Sequence, residues 1–450
     1  LTYSRPQVLP GTLLRLLAIA FVPIILIALV QLVQMGPNPS WHYGPLVALR
    51  RWITFREVGG DSWWAMHQAY DWFAAPHKGT LYQEIFFEQR IKFQYPPSSL
   101  VILAIPDALG FHWSHARLNG YLNMIGWVAV LIEVLAISAL FWIAARRAAG
   151  GAADRKLLAA ASVLVGAMTL FFYPVIRAYK IGQVQTELNM VFALATLAFL
   201  LGRRELAGGF IGLISLIKPQ FGLFLIWSLI RRDWRFAEAM AATLVAGFGA
   251  SVLLFGWQNH LDYLNAIAAL GRHGEAYFPN QSFNGLMQRF LGNADPMVFA
   301  QHEFPAFNPI IYYTTILTSM LMIGFALAWR RVSDLASFLI AALTFTIASP
   351  IAWEHHYGIL PPMLALLLPA VQLGSPPKMR GWGIWLLGLA YILSACFFMP
   401  GAQSWEIGLK SLLSSYLFFA GLMVMFLLYR FADEIDALRR GPSETDDRTA

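Results

Sequence analysis

The feature that most constrains this chain is the recurrence of apolar runs about as long as a bilayer is thick. Roughly 20 consecutive apolar residues in a helix bridge about 30 Å of hydrocarbon. Such runs fall at about 12–34, 117–145, 156–176, 184–201, 236–257, 309–329, 333–350, 358–373, 382–399 and 407–429. Within hydrocarbon every backbone N–H and C=O must be satisfied internally, so runs of this kind are expected to be helices. Composition removes the soluble alternative. Of 450 residues 58% are hydrophobic and 13% charged, about half the usual charged share, and a water-exposed surface would carry large apolar patches. The net charge of +7 then reads as short basic loops between spans, not as a nucleic-acid surface. A single cysteine, Cys396, lies in an apolar run and excludes a disulfide framework. The first apolar run is long enough to span and is read as a span, not a cleaved leader.

Residues 205–231 need a different reading. Lys218-Pro219 divides them into two runs of 11–12 residues, each too short for an ordinary span. Proline lacks an N–H and breaks a helix, so a V of two short helices with a Lys-Pro elbow is expected. If the V crosses twice and the N-terminus is cytoplasmic, Arg146/Arg147, Arg203/Arg204, Arg231/Arg232, Arg330/Arg331, Lys378/Arg380 and Arg430 share the cytoplasmic side. The same parity makes Pro96–Gly110 a juxtamembrane or partly inserted helix. The expectation is an all-α polytopic membrane protein: one domain over 1–435 with about twelve transmembrane helices and both termini inside. Residues 36–97 and 258–308 become external, the first carrying juxtamembrane helices, and 436–450 a disordered tail.

Parity also collects the polar motifs on the external face. They are Asp61 and Asp71 in GGDSWWAMHQAYDWF, KFQYPP with Tyr95, and RAYKIGQVQTELN with Arg177 and Gln183. The elbow IKPQ brings Lys218, NQSFNGLMQR brings Asn280 and Arg289, and SPIAWEHHYG brings Trp353, Glu354, His355 and His356. Charges at membrane depth cost about 2.5–3.5 kcal/mol each on insertion scales, so they tend to mark a site. Each motif also has a plainer reading. Asp61 could be a loop acid; Lys218 and Arg289 could snorkel to headgroups; Gln183 and Asn280 could join helices. The His355-His356 pair lacks a third metal ligand.

In order and spacing these motifs resemble glycosyltransferase family 87, the polyprenyl-phosphate-mannose-dependent mannosyltransferases of the GT-C superfamily. The resemblance rests on an early loop aspartate, Leu81-Tyr82, Phe93 to Pro97 (F-x-Y-P-P), Gly182-Gln183, Lys218-Pro-Gln, Asn280-Gln-Ser and the run from Ser349 through His356. The chain departs from that pattern at Gln185 and Thr186. The resemblance implies an inverting transfer of a hexose, mannose in the family, from a polyprenyl-phosphate donor to a lipid or glycan acceptor. The site would lie on the periplasmic or extracellular side of the inner (cell) membrane. Asp61 would be the catalytic base, with Asp71 in reserve. Lys218, Arg289 and His356 would face the donor phosphate. Gln183, Asn280, His355, Tyr95 and Trp353 would serve the sugar or acceptor, and no metal or cofactor is expected. Two rival classes are a lipid-linked-sugar flippase or transporter and an oligosaccharide ligase or polymerase. The first should show paired broken helices in its two halves, and only one Lys-Pro elbow is found. The second normally places its working loop late in the chain.

Overall fold

Helix starts and stops follow local chemistry. Asp154 accepts from Lys156 N at 2.8 Å and opens the helix Arg155–Leu170. Asn308 accepts from Ile310 N at 3.0 Å ahead of Pro309–Ala328. Both are N-caps that satisfy otherwise orphaned donors. The computed structural model describes residues 10–34, 53, 59–149, 154–329, 334–373, 377–398 and 408–439. Expectations for 35–58 other than 53, for 150–153, for Arg330/Arg331 and for 440–450 lie outside the described residues.

The protein is all-α: among the described residues strand pairing is limited to one isolated bridge, Asn280 to Trp353. Among the described residues four helices are long and apolar enough to cross a membrane, Gly11–Val30, His115–Ala148, Trp234–Phe255 and Pro309–Ala328. Two bent pairs could each make one more span. Twelve crossings therefore remain a sequence expectation. The helix His115–Ala148 packs against Arg155–Leu170, Gln185–Leu200 and Leu360–Leu373, while much of Trp234–Phe255 and Pro309–Ala328 is exposed, with Val245 at 75% and Leu253 at 88%. Such apolar outer faces are at home in lipid.

Two expected spans are built differently. The run 156–176 is interrupted before Tyr173, and Tyr173–Ile181 leaves Arg155–Leu170 at 48°. Pro174 is the cause, because it has no N–H to return to the Leu170 carbonyl and sits instead in the first turn of the new helix, where no N–H is needed. The run 407–429 bends by 63° between Gly408–Ser414 and Tyr416–Arg430. The Lys-Pro stretch forms Arg204–Ser215, a 3-10 turn Pro219–Gly222 and Leu223–Arg231. Pro96–Gly110 becomes a 3-10 turn Pro97–Leu100 and a helix Val101–Ala108, about 18 Å at helical rise and too short to cross. The first loop carries the helix Asp61–Asp71 and a π-helix Tyr82–Glu88. The region 258–308 carries two helices, Trp257–His273 and Phe283–Phe290. At the start of the expected tail, Asp436 is buried and accepts from Leu335 N at 3.0 Å, so the packed domain continues past 435.

The two ends of the bundle differ. At one end Arg204 pairs with Asp233 at 3.3 Å and Asp334 at 2.8 Å, and Arg439 reaches Asp334 at 3.5 Å. Arg147 there donates to the carbonyls of Leu200, Leu438 and Arg439, where helix ends concentrate partial negative charge. The helix Gln185–Leu200 separates this ionic end from Gln183 by about 24 Å. The polar motifs gather at the Gln183 end.

Candidate active site

Two glycines bring two distant segments into register. Gly182 ends the helix Tyr173–Ile181 with φ +69°, a left-handed conformation that a Cβ would strain. A Cβ on Gly182 would also sit 1.8 Å from Gly59 O, and one on Gly59 would meet Ile181 O at 2.8 Å. The backbones therefore cross in contact, joined by Gly59 N to Lys180 O at 2.8 Å and Ser62 N to Gly182 O at 3.1 Å. Asp61 opens its helix on one side of this crossing and Gln183 follows it on the other.

The Gln183 amide is fully oriented. Its Nε2 donates to Asp61 Oδ2, and its Oε1 accepts from Ser62 Oγ at 2.6 Å and Tyr95 Oη at 2.9 Å. Tyr95 is fixed in turn, because buried Tyr82 donates to its carbonyl at 2.5 Å. Tyr82 also stacks on Phe93 at 5.6 Å. The Leu81-Tyr82 and F-x-Y-P-P motifs thus build one support for the carboxylate. Trp63 is buried, while Trp64 is 54% exposed and faces the cleft. Adjacent in sequence, the two indoles thus take different faces of one helix.

Asp61 opens onto a cleft of about 470 Å³ whose polar wall includes Lys92, Tyr95, Arg177, Gln183, Glu354 and His355. Trp353 and Tyr277 add aromatic surface. Asp61 is exposed on the cleft side, and the protein atoms packed around its other sides still desolvate it. Desolvation raises its pKa above the ordinary 3.8, opposed by the Gln183 hydrogen bond and the Arg177 charge. Arg177 acts on Glu354 as well. Burial raises the pKa of Glu354, whose oxygens accept from Tyr173 Oη at 2.8 Å and Tyr416 Oη at 3.5 Å. Lys92 pairs with Glu275 at 2.9 Å and lies 4.3 Å over the Phe304 ring. Among the described residues His355 Nε2 is buried without a hydrogen-bond partner.

Not all the expected residues meet here. Asp61, Gln183, Tyr95, Trp353 and His355 line the cleft. Asn280 and Arg289 do not; both are fully buried. Asn280 donates to Glu275 O at 2.8 Å and accepts from Ala352 N at 3.0 Å. Arg289 donates to Asn280 O at 3.0 Å and Ser415 Oγ at 2.7 Å. Between them Gln281 Oε1 accepts from Leu417 N and Phe418 N, capping the helix beyond the 63° bend. The Asn-Gln-Ser motif is a staple between the 350–352 strand-like segment and the broken C-terminal span. Lys218 and His356 sit together behind the wall, in a cavity of about 10 Å³, room for about one water and not for a phosphate. Asp71 ends its helix about 15 Å from Asp61 and meets His115 at 3.1 Å, 48% exposed. Sequence reasoning put Arg177 and Glu354 among the external motifs but gave neither a role. Their convergence is set by packing between Tyr173–Ile181 and Glu354–Ile359, which no local motif reports. Among the described residues no three His, Cys, Asp or Glu side chains are grouped to hold a metal.

The model of glycosyltransferase family 87 matches residues 93–350, more than half of the chain. The chain belongs to glycosyltransferase family 87. This family match takes in Tyr95, Arg177, Gln183 and Lys218, with Asp61 before it and Trp353–His356 after it. The polyprenol-phosphate-mannose-dependent alpha-(1-2)-phosphatidylinositol pentamannoside mannosyltransferase of Mycobacterium tuberculosis (strain CDC 1551 / Oshkosh) is 28% identical over 348 residues, 74% of this chain and 72% of its own. The protein of the same description from Mycolicibacterium smegmatis (strain ATCC 700084 / mc(2)155) is 28% identical over 346 residues, 73% of this chain and 75% of its own. No solved structure matches. A polyprenol-phosphate-sugar-dependent glycosyltransferase has to receive a lipid-linked sugar, and the cleft sets the Asp61 carboxylate beside Arg177.

Proposed function

We propose that this enzyme transfers mannose, with inversion, from a polyprenyl-phosphate carrier to a hydroxyl of a lipid or glycan acceptor. The transfer takes place at the external face of the cell membrane. The observation that carries the reading is the Asp61 carboxylate, held by Gln183 at the cleft with its Oδ1 free of hydrogen bonds among the described residues. Asp61 takes the proton from the acceptor hydroxyl as that oxygen attacks the anomeric carbon. The bond to the carrier phosphate breaks on the opposite face, and the lipid phosphate leaves. A positioned base of this kind is worth about 10²–10⁴-fold in rate. Arg177 is the cation best placed for the departing phosphate, since its charge reaches both Asp61 and Glu354 and it needs no reorganisation during the reaction. His355, with an unused Nε2 on the same wall, supplies a further contact to phosphate or sugar, and Trp353 a stacking face. The names of the two mycobacterial relatives support mannose and a phosphatidylinositol-mannoside acceptor. A divalent metal has no part in this scheme.

Purified enzyme would be given a panel of polyprenyl-phosphate sugars with phosphatidylinositol mannosides, with and without EDTA. Mannosyl transfer that survives EDTA, with an inverted product anomer, is expected. Transfer only from another sugar, product of retained configuration, or activity restored by Mg²⁺ or Mn²⁺ would each break a named part of the reading.

A further inference from the structure

Lys218 looks from sequence like a cation for the donor phosphate, and the geometry around it points elsewhere. Its Nζ lies 2.5 Å from His356 Nε2. The other ring nitrogen of His356, Nδ1, accepts the backbone N–H of Trp353 at 3.2 Å. A backbone N–H can only donate, so Nδ1 carries no proton, and the neutral imidazole must carry its proton on Nε2. That Nε2–H faces Lys218, and it needs a lone pair there. An ammonium has none. The remaining polar residues around the small cavity, Gln185, Gln220 and Thr346, supply no carboxylate to hold an ammonium in a buried place.

We propose that Lys218 is a positioning residue that accepts a hydrogen bond from His356 as a neutral amine. Through His356 it fixes the turn that presents Trp353, Glu354 and His355 to the cleft. The chain of contacts is short. Lys218 stands at the elbow where Arg204–Ser215 gives way to the turn Pro219–Gly222, and Ser98 donates to the Leu216 carbonyl just before it. His356 is the third residue after Trp353, and its own N–H returns to Trp353 O at 2.8 Å. The ring of His355 lies 4.8 Å from that of His356, edge to face. Moving the His356 ring would therefore move the wall carrying the unused His355 Nε2. The Lys-Pro-Gln and Glu-His-His motifs become two halves of one clamp behind the cleft. The inference depends on hydrogen-bond direction and not on which sugar is transferred.

The two roles for Lys218 order the same substitutions oppositely. As an acceptor, Lys218→Gln should keep kcat within a few fold, because the amide oxygen can take the Nε2–H. Lys218→Arg has no acceptor and should lose about 10²-fold in kcat, the scale of a small misplacement in a site, with little change in donor KM. As a phosphate cation, Arg should be tolerated and Gln should raise donor KM. That second order, or full activity of both variants, overturns the proposal. Should neither variant give monodisperse protein, ¹⁵N shifts of histidine in the wild-type enzyme decide. A His356 with a bare Nδ1 and a protonated Nε2 supports the clamp; a protonated Nδ1 overturns it. If the wild type transfers no polyprenyl-phosphate mannose, the functional reading fails and the tautomer measurement still tests the clamp.

Discussion

At the level of single residues, Asp61 and Asp71 separate two things that sequence could not. Both are acids on one loop helix, and either could have been the base. Only Asp61 meets the cleft; Asp71 is spent on His115 at the far end of the helix. Asp61→Asn keeps shape and cannot take a proton, so kcat should fall about 10²-fold or more, with donor binding little changed. Asp71→Asn should cost at most a few fold. Steady-state transfer and donor binding for both variants in one detergent make the comparison; an active Asp61→Asn would move the base elsewhere. The pH dependence carries a sign. Asp61 works only when ionised, and burial raises its pKa. The rate should therefore fall on the acid side at a higher pH than an unperturbed aspartate would give. Arg177 holds that pKa down, so Arg177→Gln should shift the acid limb of kcat/KM to higher pH. A limb that stays in place would mean that Asp61 is not the titrating base.

Among the elements, legibility followed how local each cause is. The Lys218-Pro219 elbow was readable because proline removes a donor wherever it stands. The same rule at Pro174 was overlooked, because the apolar count around it ran on without a gap. The bend before Tyr416 has no local signal at all. It is capped by Gln281 and tied by Arg289, more than 120 residues earlier, so Arg289 was assigned to a phosphate when its hydrogen bonds are structural. Gly182-Gln183 was read as a motif, but its purpose is visible only where Gly59 crosses it. That crossing makes a prediction. Gly182→Ala combines a left-handed backbone, a cost of about 1–3 kcal/mol, with a collision against Gly59 O. The variant should melt earlier and lose transfer activity as Gln183 and Asp61 drift apart. A thermal melt and kcat indistinguishable from wild type would show that the crossing does not hold the site.

Over the whole molecule, the question is which end of the bundle faces out. Hydropathy alone gives helices but no direction; direction comes from the charges. The ionic end holds Arg147, Arg204 and Arg439 with Asp233 and Asp334. The site end holds Asp61, Arg177 and Glu354 about 24 Å away along Gln185–Leu200, close to the thickness of the hydrocarbon. Positively charged short loops stay in the cytoplasm, so the proposed external transfer requires the ionic end to be inside and the cleft outside, where a carrier would present its sugar. Gly151, which follows Arg146/Arg147 in sequence, should then be cytoplasmic. Gly274, which follows the helix Trp257–His273 and precedes the cleft residue Tyr277, should be external. Cys396 is buried, so a Cys396→Ser background with one cysteine placed at either position can be probed with a membrane-impermeant maleimide. Labelling of position 274 from outside, and of 151 only after permeabilisation, is expected. Labelling of both from one side would break the parity that assigns Pro96–Gly110 to a non-crossing helix, and with it the placing of the cleft on the outer face.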